Sequence, residues 1–367
     1  MESKFRYSML LDDLIASDVS FAVYFLPGDT EPTLLLSQSK PLELNSYEEL
    51  NGRHGFVFAP FTITKKTPLL LLKPYYIYKG FRVDNVEFPK GFSVARNRPQ
   101  SFYASTSQRE YFEGYASFMS MLSIGRFSKL VLSRIHVETN NSQSLGRIFL
   151  NTHALYPTAL SYLICTPQSG VWMGASPEVL LTGSSKEYHT VSLAGTITAN
   201  SKTAVWSNKE YEEQGIVTDY IHSVLKSYAK KRIQVSKTET VEAGNVAHLK
   251  TSISFNSDAG VGTLVGALHP TPAVCGLPKE EAQDFILKTE SHSREYYAGF
   301  VGRLAPGGEA SLYVNLRCMK VFTNQLMLFA GGGITKQSQS DREWNETADK
   351  LRTLQTVIDL EKRNVLK

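Results

Sequence analysis

Cysteine is scarce. Cys165, Cys275 and Cys318 are the only three in 367 residues. They lie far apart, are odd in number and form no Cys-x-x-Cys pair, so neither a disulfide framework nor a cysteine-based zinc site is suggested. A reducing compartment fits. Long apolar runs are also missing: the longest, around Pro68–Leu72, is far too short to span a bilayer. The opening Met1-Glu2-Ser3-Lys4-Phe5-Arg6 is polar and has no secretory apolar segment. A soluble cytoplasmic protein is therefore expected. Excess charge is lacking as well, with a net +4 at pH 7. The short basic run Lys230-Lys231-Arg232 is expected at a helix C-terminus, where cations offset the dipole. Nucleic acid and membrane are not implied as partners. No internal repeat or low-complexity linker occurs.

Apolar mass is ample: 42% of residues are hydrophobic and 20% charged, enough for a large core. Residues 1 to about 95 read as short strands, among them 19–26, 33–36, 55–59 and 69–72. Helical periodicity is expected over 107–123, 144–151, 208–231 and 280–289. Strands fill much of the remainder, including 128–135, 161–165, 187–193 and a hairpin whose arms are 296–304 and 311–319. Many strands with hairpin-type turns favour an α/β fold of the α+β type, built on large, mostly antiparallel sheets.

The most informative stretch is Leu328-Phe329-Ala330-Gly331-Gly332-Gly333-Ile334. Three glycines open the backbone of a strand to close approach. The helix that follows has the form of a capping box at Ser340 and Glu343. Glu343, Glu346 and Lys350 share one of its faces. Bare backbone beside carboxylates can hold an anion and a hard cation together.

Other candidates are scattered. Lys129 sits in an apolar strand; facing inward it would be a base of lowered pKa, facing outward a solvated edge lysine. Glu178 follows a Ser-Pro turn and precedes three aliphatics, so it is either an acid of raised pKa or a solvated turn carboxylate. Glu213 has apolar neighbours at one-turn spacing and is expected to point inward, where it needs a partner such as a cation shared with Glu346 or Glu343. Arg317, in the expected strand 312–319, is suited to gripping a carboxylate. His248 is read as a donor to a ligand or a satisfied core histidine.

Eight segments occur in the order found in chorismate-utilising enzymes, and over about residues 100–360 the chain resembles that family. They are Phe127 to Arg134, Gly174 to Glu178, Leu193 to Thr196, His269 to Gly276, Arg294 to Gly299, Leu316 to Cys318, Ala330 to Ile334, and Glu343 to Glu346. Within the family the chain is most similar to isochorismate synthases. His-Pro-Thr-Pro-Ala-Val-Cys-Gly discriminates, since anthranilate and aminodeoxychorismate synthases usually carry a Pro-Gly-rich version there. Two departures stand out: Glu212-Glu213-Gln214 replaces a frequent His-Glu-His, and Gly332 replaces an alanine.

The resemblance implies sheets packed face to face with helices outside. It implies one chorismate-utilising domain over 1–367, with a strand-rich part at 1–95 and a catalytic core at 96–367. It implies Mg²⁺ as cofactor, chorismate as substrate, a monomer, and no amidotransferase partner. Lys129 would activate water for attack at C2, and Glu178 would protonate the departing C4 hydroxyl. Glu213 and Glu346 would ligate Mg²⁺ with Glu343 close by. Arg317 would hold the enolpyruvyl carboxylate. Gly331, Gly332 and Gly333 would address the ring carboxylate, and Gly195, His248, Ala273 and Val274 would line the pocket. The product would feed menaquinone or catechol siderophores, with menaquinone preferred. A salicylate synthase and a silent chorismate-binding relative are the alternatives.

Overall fold

The structure is a computed structural model. It describes every residue except 1, 18, 85, 87–99, 142, 185, 199–205, 244, 245, 366 and 367. The expected boundary at 95/96 falls outside the described residues. Among those described there are seven α-helices: α1 (Glu2–Ile15), α2 (Gln108–Ser123), α3 (Leu145–Leu155), α4 (Asn208–Lys226), α5 (Val261–Leu268), α6 (Lys279–Thr289) and α7 (Ser340–Val365). Among the described residues no helix is long and apolar enough to cross a membrane.

Two antiparallel sheets carry the rest. The nine-stranded sheet runs, in spatial order, Gly276–Leu277, Lys129–Thr139, Gln325–Ile334, Cys318–Val321, Gly170–Ser176, Leu160–Thr166, Ser20–Phe25, Thr33–Ser37 and Tyr76–Lys79. The ten-stranded sheet includes Val246–Asn256, Glu187–Thr198, Val179–Ser184, Ala310–Val314, Phe300–Leu304 and Gly55–Ala59. The N-terminal strands complete one edge of each sheet rather than forming a unit of their own.

Strand alternation sets the layers. In Ser20–Phe25, Phe21, Val23 and Phe25 join a core with α1, α3 and α7, whereas Ala22 and Tyr24 face the core shared with the other sheet. The nine-stranded sheet is thus covered on both faces. In Gln325–Ile334, Leu326, Leu328 and Ala330 face the helices, and Met327 and Phe329 face the second sheet.

Several expectations need correction. Residues 2–15 form a helix, not strands, because Tyr7, Leu10/Leu11 and Leu14/Ile15 make a buried stripe at helical spacing. α4 ends at Lys226, so Lys230-Lys231-Arg232 lies beyond it, and Lys230 pairs with Asp258. The expected arm 311–319 is two strands, one in each sheet, broken at Asn315 to Arg317. Arg317 is therefore in the crossover between sheets, with φ of 47°. The capping box at Ser340 does not form: Ser340 already lies in α7, and the Glu343 N–H donates to the Gln339 carbonyl.

Candidate active site

The cleft opens between the two sheets where strand ends converge. Its empty volume, counting the open mouth, is about 610 Å³. Glu178 enters from the turn between Gly170–Ser176 and Val179–Ser184, and Arg317 from the crossover. Gly195 and His248 come from adjacent strands, Ala273 and Val274 from the segment after α5. Gly331, Gly333 and Glu213 also line it.

Gly195 lies at an irregularity between Ala194 and Thr196, with φ of 67°. The left-handed backbone there suits glycine. It turns the Gly195 carbonyl to accept a hydrogen bond from His248 Nδ1 at 2.9 Å. A carbonyl only accepts, so Nδ1 carries the proton and Nε2 faces Arg317 Nη2 as acceptor at 3.3 Å. Burial, then Arg317 and Lys350, push His248 down to about 3. This neutral histidine is the satisfied buried histidine of the two alternatives, with its one N–H given to the backbone and its other nitrogen holding the arginine in place.

Arg317 is 8% exposed, and burial pushes it down to about 10. Its Nη1 is buried without a hydrogen bond. A buried guanidinium with one terminal nitrogen unpartnered is suited to receive a carboxylate. Glu178 is 4% exposed, and burial pushes it up to about 8 against the pull of Lys129, Lys350 and Arg317. It carries a proton at neutral pH. Lys129 is fully buried just behind the cleft wall, excluding the solvated edge reading. Its ammonium is 2.9 Å from Glu213 Oε1, off the axis a hydrogen bond requires.

The glycine run explains itself by close approach. A Cβ on Gly333 would collide with Glu213 Oε1 and come within 2.9 Å of Lys129 Cε. Gly332 faces the opposite side, where a Cβ would lie 3.2 Å from Glu343 Oε2 and 3.8 Å from Glu346 Oε1. So Gly331 and Gly333 face the cleft, whereas Gly332 packs under the α7 carboxylates.

Each acid has a lysine: Lys129 with Glu213, Lys350 with Glu346 at 2.6 Å, and Lys209 with Glu343 at 2.6 Å. Burial opposes charge on Glu346, but Lys350 and Lys209 hold it below the usual carboxylate range. Burial and then Glu346 push Glu343 up to about 7. Among the described residues no three acidic, histidine or cysteine side chains stand closed around one point as a ready cage. The donor set nevertheless suits a hard divalent cation. It is all carboxylate, Glu343 and Glu346 are crowded together, and Glu343 Oε2 is buried without a hydrogen bond.

Four neighbours of the site have no role in the sequence reading, although Lys350 is placed there on the face of Glu343 and Glu346. Lys350 lines the cleft and donates to the Gly331 carbonyl at 2.8 Å; its place at one-turn spacing from Glu346 was the available signal. Thr196 and Tyr297 line the cleft and lie within recognisable segments. Lys209 left no signal, because it stands among first-turn acids that read as dipole partners. Behind the wall, Arg294 pairs with buried Glu290 and donates to the carbonyls of Val274 and Val131, bracing two cleft-lining segments.

Between two packed antiparallel sheets the cleft holds a buried acid and an arginine with no carboxylate partner among the described residues, a setting suited to a small anionic molecule. The comparisons agree. Residues 88–359 match the family described as chorismate binding enzyme, and the chain belongs to that family. It is 29% identical over 346 residues to the vibriobactin-specific isochorismate synthase of Vibrio cholerae, covering 90% of this chain and 86% of that one. It is 29% identical over 269 residues to the isochorismate synthase EntC of Escherichia coli, covering 70% and 69%. Its fold is that of the menaquinone-specific isochorismate synthase MenF of Escherichia coli, with a TM-score of 0.76 at 20% identity over 95% of this chain and 90% of that one.

Proposed function

We propose that the chain is an isochorismate synthase, converting chorismate to isochorismate for menaquinone or siderophore biosynthesis. The observation that carries this reading is buried Glu178, pushed up to about 8, in one cleft with an arginine whose Nη1 has no hydrogen bond, and with buried Lys129 acting on it. An acid held protonated can give a proton to a poor leaving group, and a neutral lysine can take one from water.

With Lys129 in its neutral amine form, its Nζ takes a proton from water as the water oxygen bonds to C2 of the ring. The two ring double bonds shift and the C4–oxygen bond breaks. Glu178 gives its proton to the departing hydroxyl, which leaves as water. One hydroxyl enters, one leaves, and the product is an isomer. Arg317, aligned by His248, holds the enolpyruvyl carboxylate. Lys350 and the backbone of Gly331 and Gly333 line the same cleft.

Glu213 and Glu346 would hold Mg²⁺, with Glu343 beside them. Mg²⁺ when bound would neutralise and orient the ring carboxylate. Both ligands carry lysine counter-ions, so loading the site displaces those pairings. The reading places the reaction in the cytoplasm, a reducing compartment that suits Cys165, Cys275 and Cys318, which are buried and form no disulfide.

The test is product analysis. Purified protein is incubated with chorismate and Mg²⁺ and the mixture is resolved by chromatography. Isochorismate supports the proposal, salicylate with pyruvate supports a salicylate synthase instead, and unchanged chorismate excludes both.

A further inference from the structure

Lys209 has no part in the chemistry above, yet it stands inside the acidic site. It lies in the first turn of α4, and its side chain is 17% exposed while that of its partner Glu343 is 1%. Its ammonium is 2.6 Å from Glu343 Oε1, and Glu213 and Glu346 also act on it. It is absent from the wall of the cleft that holds Glu178 and Arg317. It lines a separate opening on the α7 side, with Glu343, Glu346 and Asp349. Lys209 therefore serves the acids rather than the small molecule.

A lysine in this position acts on a divalent cation in two ways. It occupies Oε1, leaving Glu343 only Oε2, the oxygen that is buried without a hydrogen bond. Its charge also opposes the arriving ion: about 6 Å from a dication, a unit charge changes its affinity by about tenfold even at the dielectric of water, about 80, and by more where water is excluded.

We infer that Lys209 is a resident cation of the metal site, which limits Glu343 to a one-oxygen role and keeps the divalent ion weakly held and exchangeable. This rests on the reading of Glu213, Glu343 and Glu346 as the Mg²⁺ site. Lys209 acts through Glu343 and is a positioning residue.

The test is metal affinity in the absence of substrate. Metal-free wild type, Lys209→Met and Lys209→Arg are titrated with Mn²⁺, read by electron paramagnetic resonance, and with Mg²⁺, read by calorimetry. Lys209→Met should bind at least about tenfold tighter, and Lys209→Arg, which keeps the charge, within about threefold of wild type. A folded Lys209→Met protein that binds no tighter than wild type overturns the inference and leaves the metal site standing. No binding by wild type overturns both. If Lys209→Met does not fold, Lys209→Gln removes the same charge and is judged by the same outcomes.

Discussion

Lys129 and Glu213 form an ion pair at 2.9 Å with both side chains out of water, one on a strand of the nine-stranded sheet and one on α4. The pair ties the proposed base to a proposed metal ligand. Lys129→Ala should lower kcat by about 10²–10⁴-fold, the usual worth of a positioned general base. Circular dichroism should show the fold retained. Near-normal turnover would remove Lys129 from the mechanism.

Glu178 governs the alkaline side of the pH profile. Its folded pKa is raised, to about 8, so it holds its proton below that pH and loses it above. An acid must be protonated to act, so kcat/KM should fall as pH rises through about 8. Glu178→Gln should be nearly inactive and should lack that alkaline limb in any residual rate. A wild-type profile flat across this range would contradict the assignment.

Arg317 tests substrate binding. Charge-assisted hydrogen bonds are worth about 1.5–3 kcal/mol, so Arg317→Met should raise KM by about ten- to hundredfold. His248→Ala should move KM in the same direction by less, since it acts through the arginine. An unchanged KM in Arg317→Met would show that the carboxylate is held elsewhere.

Gly333→Ala places a methyl group against Glu213 Oε1 and Lys129 Cε. It should abolish turnover and weaken Mg²⁺ binding together, read by calorimetry, with the unfolding midpoint little changed. Chelation by EDTA should stop the wild-type reaction, and added Mg²⁺ should restore it. Resistance to EDTA would take the metal out of the account.

Arg294 tests the scaffold. It and Glu290 are both buried, and Arg294 also holds the Val274 and Val131 carbonyls. Removing one partner of a buried pair costs about 3–5 kcal/mol. Arg294→Met should lower the denaturation midpoint accordingly, and an unshifted midpoint would show that the pair does not brace the cleft.

The sequence was most legible where local pattern and tertiary packing agree. Val217 and Tyr220 at one-turn spacing correctly turned Glu213 inward, and the strands at 55–59 and 69–72 stand where apolar runs put them. It was least legible where long-range contacts decide. The apolar alternation through 311–319 hides a break. Asn315 accepts from Tyr162 at 2.6 Å and donates to the Tyr296 carbonyl at 2.8 Å, and these partners are distant in sequence. Arg317 consequently belongs to a crossover, where it can reach the cleft. Ser340 and Glu343 have the spacing of a cap, but Lys209 from another helix claims the carboxylate. The helix at 2–15 carried its stripe openly, in a stretch otherwise rich in strands.

The central claim is that water enters at C2 while the C4 hydroxyl leaves. The most direct measurement is turnover of chorismate with Mg²⁺ in oxygen-18 water, with mass and position of the label read in the product. The account predicts isochorismate carrying one oxygen-18 at C2. Isochorismate with no label, or salicylate and pyruvate in its place, would contradict it.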